Sequence, residues 1–241
     1  KNGIGSEWSY NDFISNLNSH NVDAATLTDK NNVILIDKHY QEFVLPENLH
    51  LLKGLPELTD NIINKLIDNN YNNMIEGITR RNGKVIVDKS FKESKELPVP
   101  LNENRGPFTK YKELLKRVII EYSKKFPEML DNSPFGLAED YNLQRYPIFG
   151  GFKKWHFEND FRNNLNFHRC LVFMTYLNDV EDGGTEFKYQ NLICPAKEGL
   201  TLIWPAYWTH THRGIPSKTK EKSIVTGWIS YLDYVKENKS N

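Results

Sequence analysis

Two short stretches hold the side chains best suited to chemistry: Trp155-His156-Phe157-Glu158 and, far downstream, Thr209-His210-Thr211-His212-Arg213-Gly214. In a β-strand, residues i and i+2 point to the same face. His156 and Glu158 can therefore offer an imidazole nitrogen and a carboxylate oxygen to one ion from one side. A histidine from the second stretch would complete two nitrogens and one oxygen on that side. This set leaves the opposite coordination positions open, which suits a ferrous ion that must receive both a co-substrate and O2. His210 and His212 also stand at i, i+2, and alternation does not choose between them. An H-x-E triplet is common on solvated strands, so its weight comes from what surrounds it.

Lys222 is one such surrounding signal. It opens a strand-like run in which Lys222, Ile224, Thr226 and Trp228 share one face, with Ser223, Val225, Gly227 and Ile229 on the other. A lysine among apolar neighbours needs an anion to offset its desolvation. A dicarboxylate co-substrate would supply one, with one end on the metal and the far carboxylate on Lys222.

The rest of the chain must position these groups. Its 241 residues suffice for a sizeable core. Lys+Arg and Asp+Glu both number 31, so no excess positive charge favours nucleic acid or an anionic membrane surface. Cys170 and Cys194 sit in apolar runs and read as buried thiols of a reducing compartment. With no long apolar run and no signal-peptide pattern, the expectation is a soluble, intracellular protein without a membrane partner. No internal repeat or low-complexity tract stands out.

Trp8 to Leu17 has a loose helical pattern, Val33 to Ile36 reads as a short buried strand, and Leu58 to Ile78 reads as a helix from its Leu/Ile spacing. Lys84 to Asp88 reads as a strand and the proline-bearing 93–107 as a loop. The strongest helix is Thr109 to Lys125, where Tyr111, Leu114, Leu115, Val118, Ile119 and Tyr122 form one stripe between Pro107 and Pro127. Beyond Pro134 come strand-like runs at Asn142–Tyr146, Phe152–Glu158, His168–Leu177, Glu186–Tyr189, Leu200–Trp204, Thr209–Arg213 and Ser223–Leu232. Turn signals, notably Asp182-Gly183-Gly184, separate them, so the expected class is mainly β with flanking helices, a sandwich or jelly roll. The expected division is an N-terminal helical or mixed extension, 1–107, packed on a core at 108–241.

The order of these pieces resembles a known family. H-x-E, then Tyr176-Leu177-Asn178-Asp179-Val180, Asp182-Gly183-Gly184-Thr185-Glu186-Phe187, Gly199-Leu200-Thr201-Leu202-Ile203-Trp204, and His212-x-Gly214-x-Pro216 with Lys222 and Trp228 are similar to Fe(II)/2-oxoglutarate oxygenases of the prolyl 4-hydroxylase type. The resemblance covers 138–232. It implies a double-stranded β-helix, with His156, Glu158 and His212 as iron ligands and Lys222 as partner of the 2-oxoglutarate carboxylate. It favours His212 over His210, because the H-x-G-x-P pattern and the ten-residue step to Lys222 both start there. Tyr146 stands where the family has a pocket tyrosine, and Thr226 shares the face of Lys222. Two positions depart from the pattern: Glu158 replaces the usual Asp, and Lys153 replaces a tyrosine three residues before the first histidine.

The implied activity is a dioxygenase reaction using Fe(II), 2-oxoglutarate and O2, with ascorbate helpful. It releases succinate and CO2 while an unactivated C–H is oxidised by hydroxylation, desaturation or ring closure. The metal and co-substrate carry that chemistry and the protein places the target. The substrate is expected to be a prolyl residue or an amino-acid-like small molecule. Arg169, Arg213, Arg145 and Trp155 are candidates to hold it, with Lys154 and Arg162 nearby in sequence, because arginine suits carboxylates. Two readings from other classes compete: a jelly-roll binding domain without activity, and another metal on the same fold.

Overall fold

The computed structural model describes residues 34–36, 43–44, 50–51, 73–81, 84–104, 106–131, 134–160 and 166–232. The expected helices at Trp8 to Leu17 and over 58–72 lie outside them. Before the helix α1 (Gly106–Lys125) run β1 (Ile34–Ile36), β2 (Phe43–Val44), β3 (His50–Leu51), β4 (Ile75–Glu76), β5 (Thr79–Arg81), β6 (Lys84–Ile86), β7 (Lys92–Glu93) and β8 (Lys95–Val99). After it run β9 (Phe135–Gly136), β10 (Tyr141–Tyr146), β11 (Gly151–Phe152), β12 (Arg169–Tyr176), β13 (Val180–Phe187), β14 (Leu192–Ala196), β15 (Thr201–Pro205), β16 (His212–Ile215) and β17 (Lys222–Tyr231).

The helix forms where its stripe predicts, one turn earlier, with Pro107 near its start where a missing N–H costs nothing. Tyr111, Leu114, Leu115, Val118 and Tyr122 are buried against Leu143, Leu171, Phe173, Ile203, Val225 and Ile229. Those partners are alternate residues of the large antiparallel sheet, ordered β1-β15-β12-β17-β10-β8-β4 with β9 also on β17. The intervening residues Val172, Met174, Leu202, Trp204 and Ile224 face the other way and pack with Phe187, Leu192 and Cys194. These last belong to the small sheet β14-β13-β16. Helix, large sheet and small sheet thus form three layers, the jelly-roll arrangement expected. Leu115→Ala would open a cavity under the helix and is expected to cost about 2–5 kcal/mol of unfolding free energy, read as a lowered denaturant midpoint.

Several expectations need correction. Residues 93–107 are not all loop: Lys95–Val99 is a strand in full register with β10. Pro98 is tolerated because β4 pairs with Glu96 and Lys95, so that among the described residues Pro98 has no strand partner on that side. The sheet therefore draws strands from both sides of position 107. Ile75–Glu76 is strand, not the end of a helix, because it pairs with β8. Asp182-Gly183-Gly184 is no turn but lies inside β13, where the register with β14 shifts between Val180 and Thr185. Gly184 has φ 130°, and a Cβ there would sit 2.4 Å from the Cys194 carbonyl oxygen, so these glycines permit a bulge. Leu192–Ala196 was not anticipated as a strand; Pro195 disguised it. Cys170 and Cys194 are buried free thiols. No described helix is long and apolar enough to cross a membrane.

Candidate active site

The segments that carry His156, Glu158, His210 and His212 do not form the continuous strands expected at Phe152–Glu158 and Thr209–Arg213. Beyond Phe152, His156 makes an isolated bridge to His212. Each backbone N–H donates to the other's carbonyl, at 3.0 and 2.9 Å. The Glu158 N–H donates to the Ala206 carbonyl at 3.0 Å. Trp208–His210 is a short 3-10 turn, and only from His212 does β16 begin. The i, i+2 logic therefore fails for His210 and His212, and the turn sends the two imidazoles to different places.

His156, Glu158 and His212 come together, with one ligand atom from each lying within 4.8 Å of the others. Glu158 Oε1 is 3.4 Å from His156 Nε2 and 3.8 Å from His212 Nε2. Two ligands at right angles around a divalent ion, each at about 2.1 Å, would be about 3 Å apart, so the set fits such an ion with a slight contraction. The Nδ1 of His156 donates to the Lys154 carbonyl at 2.9 Å, and that of His212 to the His210 carbonyl at 2.9 Å. Both bonds fix the tautomer that leaves Nε2 as a lone-pair donor. Burial, then the neighbouring charge of His156, holds His212 down to about 3, so it is neutral at ordinary pH. Burial opposes ionisation of Glu158. The His156 hydrogen bond and the charges of His156, Arg169 and His212 outweigh it and hold the carboxyl well below the ordinary carboxylate range.

The extra methylene of Glu158, relative to aspartate, has visible use. Oε1 faces the imidazoles, while Oε2 accepts from Trp228 Nε1 at 3.0 Å and lies 3.6 Å from Arg169 Nη1. Phe152 stacks on His156 at 3.5 Å between centroids, 11° from parallel, and Trp204 meets His212 edge-on at 5.0 Å. His210 is buried outside the cluster; burial lowers it to about 4, and its Nε2 has no hydrogen-bond partner among the described residues. Asp160 lines the same cavity without joining the cluster.

That cavity has a volume of about 640 Å³ and also exposes Lys222, Tyr146, Thr226, Arg169 and Trp155. Lys222 is 3% exposed, and its Nζ donates to the carbonyls of Ile215 at 2.7 Å and Gly184 at 3.2 Å. Burial pushes its ammonium down to about 8 against the opposing charge of Asp182. The Tyr146 ring lies 5.6 Å from Lys222 Nζ, and its hydroxyl donates to Gln144 Oε1 at 2.5 Å. The Thr226 hydroxyl donates to the Phe173 carbonyl. Arg169 is held by Glu139 at 2.7 and 2.6 Å and lies over Trp228 at 3.5 Å. Arg145 and Arg213 stand outside the lining: Arg145 pairs with Glu221, and Arg213 pairs with Glu186 over the Trp155 ring. Lys153, the second departure, pairs with Glu93 of β7. Arg162 lies outside the described residues.

Sequence reasoning missed Asn142, Gln144, Glu139 and the buried pair Lys92–Glu96, all of which line the cavity. Alternation along Asn142–Tyr146 could have found the first two, since both share the face of Tyr146. Glu139 carries no local signal, and Lys92–Glu96 was hidden by reading a strand as loop.

Residues 141–230 match the model of the 2OG-Fe(II) oxygenase superfamily. No curated protein matches the chain in sequence. Among solved structures, the chain is similar to a prolyl hydroxylase from Trichoplax adhaerens in complex with a hypoxia inducible factor oxygen degradation domain peptide fragment. The TM-score is 0.62 at 14% identity, over 96% of this chain and 92% of that one. It is also similar to a Pseudomonas putida prolyl-4-hydroxylase, with TM-score 0.55 at 10% identity over 90% and 96% of the two chains. A truncated viral collagen prolyl hydroxylase from Paramecium Bursaria Chlorella virus-1 gives 0.53 at 18% identity over 86% and 96%. These similarities show the fold, and the family match falls on the strands that carry the cluster and Lys222. Residues 141–230 are thus a domain of the 2OG-Fe(II) oxygenase superfamily, and the chain is an Fe(II)- and 2-oxoglutarate-dependent oxygenase on the prolyl-hydroxylase fold.

Proposed function

We propose that His156, Glu158 and His212 hold the iron, that Lys222 receives the distal carboxylate of 2-oxoglutarate, and that the substrate is a prolyl residue inside a peptide. The cluster of two imidazoles and an ionised carboxylate beside a buried lysine with no acid partner among the described residues carries the first two assignments. When bound, the iron would supply O2 activation coupled to decarboxylation of 2-oxoglutarate. One oxygen atom goes to the substrate C–H and the other to succinate, with CO2 released. The protein's work is positional. The Nδ1–H bonds aim the imidazoles, Trp228 and Arg169 fix Glu158, and Lys222 with Tyr146 forms the floor on which the co-substrate would rest.

The charges support a peptide over a free amino acid. Among the described lining residues the cations are Lys92, Arg169 and Lys222, apart from the histidines. Lys92 is paired with Glu96, and Arg169 with Glu139. Lys222 has no acid partner among the described residues and is assigned to 2-oxoglutarate. Among the described lining residues no cation is left for a second carboxylate, which favours a prolyl residue with both ends in amide bonds, since that needs none. The free thiols fit an intracellular setting. The test is succinate formation with Fe(II), ascorbate and O2, given blocked proline-centred peptides or free proline. Stimulation by the peptides is expected; stimulation by free proline alone would overturn the substrate assignment.

Trp228→Phe removes the indole N–H from Glu158 while keeping the ring. About 10-fold weaker binding of Co(II), followed by its visible absorption, is expected, in the range typical of groups that orient metal ligands.

A further inference from the structure

One side chain connects the residues before the helix to the histidine cluster. β11 pairs with β7, Gly151 opposite Glu93 and Phe152 opposite Lys92. The Lys153 N–H donates to the Phe91 carbonyl at 2.8 Å, and the Lys153 ammonium pairs with Glu93 at 2.8 Å. The Phe91 ring meets the Phe152 ring near edge-on, 62° apart with centroids at 5.4 Å, and Lys92 Nζ lies 5.4 Å from the Phe152 centroid. Lys92 is itself buried and paired with Glu96, whose Oε1 also accepts from the Ser94 hydroxyl at 2.8 Å. The Phe152 ring is thus held by a segment outside the family-matched residues 141–230.

What that ring turns its face to is His156, at 3.5 Å between centroids and 11° from parallel. This separation is the ordinary contact distance of carbon atoms, so the two rings overlap with little sideways offset. Neutral π systems favour an offset or edge-on contact instead. Among the described residues no ring lies so on His212: Phe187 is tilted by 36°, His156 by 54° and Trp204 by 75°. Full overlap is the poor arrangement for a neutral imidazole. It is the good one for an imidazole that carries positive charge, because the face of a benzene ring is its negative side. A divalent ion on Nε2 draws electron density from the imidazole and so leaves it partly positive. The stack therefore stabilises His156 more with a metal than without one, which is the condition for a contact to add to metal affinity.

We infer that Phe152 is a positioning residue for the metal: its ring fixes the plane of the His156 imidazole, and its negative face favours the metal-bound form of that ligand. This rests on the reading of His156 as an iron ligand given above. It also gives β7, which carries none of the three ligands, a part in metal binding through the ring it holds.

The test reverses the charge of the ring face while nearly keeping its shape, by placing pentafluorophenylalanine at position 152 of the full chain. Co(II) affinity is read from visible absorption in the parent, in this variant, in Phe152→Leu and in Phe152→Tyr. The fluorinated ring is expected to weaken Co(II) by about 10-fold, the scale of a partly desolvated cation over an aromatic face. Phe152→Leu, which removes the face without reversing it, is expected to weaken Co(II) by about 5-fold, and Phe152→Tyr, which keeps it, by under about 2-fold. The unfolding midpoint of the metal-free fluorinated protein is expected to be no lower than the parent's, since a neutral imidazole then meets a face of opposite sign. Parent-like Co(II) affinity with the fluorinated ring overturns the inference, because a ring acting by shape alone gives that result. A weakened affinity accompanied by a lowered metal-free midpoint is packing damage and overturns it too. His156→Ala, measured alongside, separates the two readings. If it keeps Co(II) affinity, the assignment of His156 as a ligand falls. If it loses Co(II) while the fluorinated protein matches the parent, only the role of Phe152 falls.

Discussion

His212→Ala is expected to stop succinate formation and to weaken Co(II) or Fe(II) binding by about 100-fold. In structural zinc sites about 10–16 kcal/mol is shared over four protein ligands, roughly 3 kcal/mol each; the same worth for one of the three ligands here is about 100-fold, since 1.4 kcal/mol is tenfold. His210→Ala, in contrast, should leave metal affinity and turnover within about 3-fold, since what it gives His212 is a backbone carbonyl that alanine keeps. The two histidines stand two residues apart, and a strand would have put them on one face. The turn at Trp208–His210 separates them, leaving His210 Nε2 buried outside the cluster, without a partner among the described residues. Metal titration of the two variants decides the assignment independently of any substrate. The opposite pattern, loss in His210→Ala and retention in His212→Ala, would falsify it.

Lys222→Ala is expected to raise the KM for 2-oxoglutarate by about 100-fold, with metal affinity little changed, because truncating one partner of a buried charge pair costs about 2–5 kcal/mol. pH should act in the same direction. Burial pushes the Lys222 ammonium from 10.5 down to about 8, Asp182 opposing. The co-substrate carboxylate needs the protonated form, so affinity holds below that value and falls as pH rises through it. Bound anion favours the ammonium, so saturating 2-oxoglutarate displaces the fall to higher pH. KM measured between about pH 7 and pH 9.5 should rise in the parent and stay flat in Lys222→Arg, whose charge does not titrate there. Stability of the ligand-free chain carries the opposite sign. Between about 8 and 10.5 the unfolded chain holds the proton that the folded one has released, so this group's contribution to stability rises with pH.

The sequence was informative where one periodicity ruled. The helix stripe, the alternating β17 face with Lys222 and Thr226, and the histidine–carboxylate pair were all legible, because each is a local pattern that the sheet and helix layers merely complete. It misled where a single residue type has two uses. Pro98 and Pro195 suggested loop but sit in strands, one beyond the reach of its neighbour and the other in a short outer strand. Gly183 and Gly184 suggested a turn and make a bulge. The partners of the arginines were illegible in principle: Arg169 meets Glu139 thirty residues away, and Arg145 meets Glu221 across 76. Nothing local foretells which charges a fold will spend on each other, and that pairing is what turned the substrate argument from carboxylates to amides.

The placement of β8 and β1 at the flanks of the family-matched strands also bears on how this chain can be handled. β8 pairs with five residues of β10, and β1 with three of β15. An excised 108–241 fragment would present both of those strands as bare edges, with a row of backbone donors and acceptors open to any other chain. Such a fragment is expected to associate edge to edge and precipitate. A recombinant version meant to stay monomeric should therefore keep the residues that precede the helix.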